Sequence, residues 1–270
     1  MQDAQPTSAP STLLGPEDPA PFSVFHREGR AELVMFCDHA GRAFPKALGT
    51  LGLGPRELEQ HIAWDIGIAG LGRRLAHSLD APFFMTAYSR LVIDCNRHLD
   101  DPTSIAQESD RIPVPGNRGL SAEDRRRRQD EIFRPYHDAL MAEIKGRVAG
   151  GRIPVIISLH SFTPVMNGFH RPWHIGVLWN EDERISRPLI ERLQAMKAFV
   201  VGDNQPYTGK TQSGYTIPFH AERNRLPHVM VEIRQDLIGT KPEAEKWADI
   251  LGDALAPILA QPRLYRLFEK

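Results

Sequence analysis

The run Pro154-Val155-Ile156-Ile157-Ser158-Leu159 constrains the fold of this chain more than any other segment. It is rich in β-branched residues, almost wholly apolar and too short for a buried helix, so it reads as a buried strand. It delivers His160-Ser161 at its carboxyl end. A second apolar run, Leu33-Val34-Met35-Phe36-Cys37, ends in the tight turn Asp38-His39-Ala40-Gly41. A third strand is expected within residues 81–93, followed by Asp94-Cys95-Asn96-Arg97, and a fourth at 175–179. Val229-Met230-Val231-Glu232-Ile233-Arg234 is a fifth, with a carboxylate set among apolar neighbours. Phe199-Val200-Val201 leads into Asp203-Asn204-Gln205-Pro206-Tyr207, which is either a plain turn or part of a pocket wall.

Helical spacing fills the intervals. Residues 55–76 bring Leu58, Ile62, Ile66 and Leu71 near one face, and a helix opening at Ser121 carries Ile132, Tyr136, Leu140 and Ile144. A further helix is expected at 187–197, and Thr240 with Glu243 forms a capping box, with Pro242 in the first turn, that starts the last helix. Strands alternating with helices predict an α/β fold with a mixed, largely parallel central sheet flanked by helices. No repeat or linker divides it. One domain is therefore expected over 22–270, after a flexible tail at 1–21 rich in Pro, Ser and Ala. The polar stretch 100–121, rich in Pro and Gly, is long enough to be a functional loop.

Composition removes several function classes. With 33 basic and 34 acidic residues the formal charge is -1, so no net field draws the protein to nucleic acid or anionic lipid. The Arg125 to Arg128 run has acidic neighbours and reads as a solvated helix face. No apolar run approaches the ~20 residues a membrane span requires, and the N-terminus has no signal-peptide pattern; a cytoplasmic location is expected. Cys37 and Cys95 lie in apolar runs and read as reduced core thiols.

Ligands of open α/β sheets gather beyond the carboxyl ends of the strands. Those ends here offer His39, Asn96-Arg97, His160 and Glu232. Two imidazoles and a carboxylate, with a position left for water, form the ligand set of many catalytic zinc sites. A second carboxylate can take a proton from that water, and an arginine can hold a substrate carboxylate or polarise a carbonyl. Local zinc motifs are absent, and Arg42 stands three residues after His39. Glu232 could instead pair with Arg234 for structure alone.

Taken in order, the segments resemble a known family. Asp38-His39-Ala40-Gly41-Arg42-Ala43-Phe44-Pro45 is similar to its His-small-Gly-x-x-x-Pro signature, Trp64-Asp65-Ile66-Gly67 to an Asp-containing helix, and Ser89-Arg90 through Asp94, Asn96 and Arg97 to a Ser-Arg-x-x-x-Asp-x-Asn-Arg strand. Ser158-Leu159-His160-Ser161, Gly214-Tyr215-Thr216 with His220, and Val231-Glu232-Ile233-Arg234 complete the order. The chain thus resembles the N-formylglutamate amidohydrolases over roughly residues 31–238. The resemblance implies a fold related to the zinc carboxypeptidases (phosphorylase/hydrolase-like) and one zinc ion held by His39, His160 and a carboxylate. Carboxypeptidases place that carboxylate where Arg42 stands here, so the resemblance passes the role to Asp65. It implies Glu232 as general base, Arg90 polarising the carbonyl, and Asn96 and Arg97 facing a substrate carboxylate. His220 would contact substrate or make a structural hydrogen bond. The implied substrate is an N-acyl amino acid such as N-formyl-L-glutamate, cleaved to formate and glutamate in amino-acid (histidine) catabolism. Alternatives are another amide hydrolase of this fold, acting on a different acyl group or a peptide end, or a non-catalytic ligand-binding homologue.

Overall fold

The computed structural model describes residues 12–211 and 214–269. Seven strands form one sheet: β1 (Phe22–Phe25), β2 (Leu33–Cys37), β3 (Phe83–Thr86), β4 (Val155–Phe162), β5 (Ile175–Leu178), β6 (Val201–Asp203) and β7 (His228–Arg234). Their spatial order is β1-β3-β2-β4-β7-β5-β6. The central strands β3, β2, β4 and β7 run parallel, whereas β1 is antiparallel to β3 and β5 is antiparallel to β7. The sheet is therefore mixed and largely parallel, as expected.

The continuous apolar runs follow from cover on both faces. Met35, Ile157, Leu159, Val229 and Val231 pack beneath α1 (Ile68–Ser78), α3 (Ser186–Ala195) and α4 (Lys241–Leu259), which supply Leu71, Leu75, Leu189, Leu193, Leu251 and Leu255. Val34, Phe36, Phe84 and Ile156 point the other way, onto Tyr136, Leu140 and Ile144 of the long helix α2. That helix spans Ala122–Arg128 and Arg134–Ala149, joined through a wider π turn at Gln129–Phe133. The capping box at Thr240 and Glu243 starts α4. Cys37 and Cys95 are both buried and unpaired. No helix among the described residues is long and apolar enough to cross a membrane.

Four expectations are corrected. The helix expected over 55–76 is interrupted: a single turn, Pro55–Leu58, gives way to turns, and α1 starts only at Ile68. Gly67 makes the break, with φ of 80° and its α-carbon so close to the Ile238 carbonyl that a Cβ would lie 2.0 Å from that oxygen. Asp65 thus sits in a turn and not on a helix. The strand expected within 81–93 ends at Thr86, so Asn96 and Arg97 lie on turns beyond it. Residues 12–21 are pinned: Leu13 is buried, the Leu13 and Leu14 amides donate to Glu131, and Tyr88 donates to the Pro19 carbonyl. The part of the expected tail before residue 12 lies outside the described residues. Finally, Arg128 leaves the solvated arginine face and is fully buried, donating to the Val92 carbonyl and to Asn117.

Candidate active site

Because β2, β4 and β7 are parallel neighbours, their carboxyl ends share one edge of the sheet. His39 lies just past β2, His160 lies within β4, and Glu232 is the β7 residue paired in register with His160. The turn containing Asp65 is held against this edge by its amide, which donates to the His39 carbonyl at 2.9 Å. All four side chains line one cleft of about 410 Å³.

Asp65 Oδ2 is the meeting point. It lies 2.9 Å from His160 Nδ1 and 3.6 Å from His39 Nδ1, and it accepts the Ser161 amide. One ligand atom from each of His39, Asp65 and His160 can be chosen so that all lie within 4.8 Å of one another, and all three residues are buried. The far nitrogen of each imidazole faces another carboxylate, hydrogen-bonded to it at His39 and only close to it at His160. His39 Nε2 is 2.7 Å from Asp94 Oδ1, and His160 Nε2 is 3.5 Å from Asp38 Oδ2. Asp38 is fixed in turn by the Tyr136 hydroxyl, which donates to Oδ1 at 2.9 Å. Metal-ligating histidines are usually oriented from behind in this way.

The electrostatics match this donor set. Burial opposes charge on Asp65, yet the two imidazoles hold its carboxyl below the usual carboxylate range. Burial likewise opposes a charged His160, yet Asp38 and Asp65 push its pKa well up. Asp65, Asp94 and Glu232 line the cleft, with Asp38 buried behind His160, and the Arg90 guanidinium stands 2.7 Å from Asp94 and 3.7 Å from Asp65. This gathering of carboxylate oxygens, together with a buried His39 Nδ1 that has no hydrogen-bond partner, suits a divalent cation.

Glu232 differs from its acidic neighbours. Burial raises its pKa to about 7, against the pull of His160, and its Oε2 is buried without a partner. Arg234, its alternative structural partner, pairs instead with Asp236 at 2.8 Å. Asn96 and Arg97 line the cleft. The Asn96 side-chain oxygen accepts the Tyr215 and Thr216 amides, which fixes the side chain in the cleft wall.

His220 does not reach the cleft. It is fully buried and hydrogen-bonded through Nε2 to His137 Nδ1 at 2.9 Å, which corrects the expected substrate contact in favour of the structural alternative. Asp94 binds His39, Arg90 and the Asn96 amide. Asp38 and Tyr136 were missed as supports. Their 98-residue separation leaves no local pattern, and the only signal was a polar Asp38 at the tip of an apolar run. The Asp203 to Tyr207 loop does form cleft wall, through Tyr207. Gly176, opposite Glu232, permits it: a Cβ there would lie 2.0 Å from the Gln205 carbonyl oxygen.

A mixed α/β sheet thus holds a buried His-Asp-His cluster open to a cleft, and comparison supplies the class. The family model of N-formylglutamate amidohydrolase matches residues 31–239, and the chain belongs to that family, whose members hydrolyse an amide bond. The structure of gene product Atu2144 from Agrobacterium tumefaciens is similar with a TM-score of 0.89 and 31% identity, covering 92% of this chain and 98% of that one. An N-formylglutamate amidohydrolase from Ralstonia eutropha JMP134 has a similar fold, with a TM-score of 0.67 at 22% identity, covering 89% of this chain and 96% of that one. No curated protein sequence matches.

Proposed function

We propose that this protein is a metal-dependent amidohydrolase that cleaves an N-acyl amino acid such as N-formyl-L-glutamate into the acyl acid and the free amino acid. His39, Asp65 and His160 would hold one divalent ion, and their N and O donors suit zinc. When bound, such an ion supplies Lewis acidity that polarises the carbonyl and acidifies water. The remaining chemistry belongs to side chains of this chain. Glu232 takes a proton from the attacking water and delivers it to the departing amine, so the carbonyl carbon gains a C–O bond as its C–N bond breaks. A carboxylate whose pKa lies near neutrality is suited to both transfers. Arg90, held by Asp94, presents its remaining N–H groups to the carbonyl oxygen, and Asn96 with Arg97 receives the substrate carboxylate.

The observation that carries this reading is the unpartnered, buried Glu232 Oε2 in the same cleft as the His-Asp-His cluster. A buried carboxylate without a partner costs stability unless it serves another purpose. Glu232→Gln removes the base while preserving shape. It should retain one equivalent of metal and lose about 10²- to 10⁴-fold in kcat. Full activity of that variant on every N-acyl amino acid the wild type cleaves would exclude Glu232 as the base.

A further inference from the structure

The cleft is longer than a formyl group requires. His228, Met230 and Glu232 alternate on one face of β7 and all three line it. Two two-residue steps along a strand cover ~13 Å. The base therefore stands at one end of the floor and His228 at the other. A second cavity of about 230 Å³ continues from that far end and shares Asn180, Glu222 and His228 with the first. Asn96, the proposed carboxylate contact, lies elsewhere: it binds the amino end of the short helix Thr216–His220, whereas Glu222 follows its carboxyl end.

The chemistry of the far end is defined by His228. Its side chain is 5% exposed, and its Nδ1 donates to the Leu226 carbonyl at 2.8 Å, which places the ring proton there. Nε2 is left buried, without a hydrogen-bond partner, in the cleft wall. Glu222 Oε1 stands 3.7 Å from it, too far for a hydrogen bond, and Glu222 has no lysine or arginine partner among the described residues. Asp182 on the adjoining wall is already taken by Arg184 at 2.6 Å. Two acceptors facing one space, one of them anionic, call for a donor-rich cationic group.

We propose that the far end binds a cationic nitrogen of the substrate, so that the enzyme takes N-acyl amino acids whose acyl arm ends in an amine or guanidine group. The inference rests on the amide hydrolysis proposed above: water's oxygen joins the acyl carbon, its protons go to the released amine and the new acid, and the arm's nitrogen is unchanged. The arm lies along the β7 face from the scissile carbonyl to Glu222 and His228. Its ammonium is shared between the carboxylate and the imidazole nitrogen.

The test compares kcat/KM for N-(aminooctanoyl)-L-glutamate with that for N-octanoyl-L-glutamate and the acid-ended N-suberoyl-L-glutamate. The amine-ended compound should be preferred at least tenfold over both. In Glu222→Gln that ratio should fall about tenfold, and Glu222→Lys should reverse it toward the acid-ended compound. Preference for the acid-ended arm in the wild type, which the exposed Arg225 on the second cavity would favour, overturns the proposal. So does a ratio unchanged in both folded variants. If none of the three is hydrolysed, amide hydrolysis itself is in question, and the ranking is then read from calorimetric Kd values, where equal affinities overturn the far-end site.

Discussion

Asp94 makes three bonds at once: to His39 Nε2, to the Arg90 guanidinium and to the Asn96 amide. Burial disfavours its charge, but Arg90 and His39 hold its carboxyl well below the usual range. A side chain so committed has one productive position, and it transmits that position to a proposed ligand and to the proposed carbonyl contact. Asp94→Ala should weaken metal affinity about 10- to 100-fold, measured by competition with a chromogenic chelator. Loss of activity with unchanged affinity would restrict its role to Arg90. Sequence made the histidines and Glu232 legible because each is a polar residue at or near the end of an apolar run. It did not show what stands behind them. Asp38, Tyr136 and Asp94 acquire their roles through contacts across the sheet, which a one-dimensional pattern does not record.

Strands were easier to read than the segments that carry much of the chemistry. β4 and β7 are covered on both faces, and continuous burial writes itself into composition. Residues 55–76 show the opposite case. Apolar residues recur at helical intervals, yet the backbone breaks at Gly67 because the loop after β7 passes against it, a constraint set by distant residues. Gly67→Ala would combine a positive φ with a collision against the Ile238 carbonyl oxygen. It should cost about 2 to 4 kcal/mol in urea unfolding. It should also reduce metal affinity, because Asp65 hangs from the same turn.

The folded molecule also encloses a neutral imidazole pair. His137 Nε2 donates to the Cys95 carbonyl, so its Nδ1 is bare and accepts from His220 Nε2. Burial lowers their pKa values, to about 4 for His137 and, with the His137 charge adding, to about 3 for His220. An unfolded histidine takes its proton near 6.5, so between there and about 4 the unfolded chain binds more protons than the fold. The stability this pair contributes is whole above about 6.5 and is lost as pH falls toward 4. Glu232, raised to about 7, acts in the opposite sense: the fold protonates it first, and its contribution declines as pH rises from about 4.5 to 7. Comparing the wild type with His137→Asn/His220→Asn cancels Glu232 and all other shared groups. The wild-type curve of unfolding free energy should fall more steeply below pH 6.5, by on the order of a few kcal/mol. Parallel curves would mean that the pair titrates normally.

Asp65 Oδ2 meets His39 and His160, with Glu232 alongside, although the four lie on segments drawn from near both ends of the described chain. On a ribosome the first imidazole would emerge long before the proposed base, and β7 docks beside β4 only after most of the sequence has been made. A nascent chain therefore has the residues of the proposed metal site well before it has the carboxylate proposed as the base. Metal capture and catalytic competence should consequently appear at different moments in the birth of the protein, with competence the later.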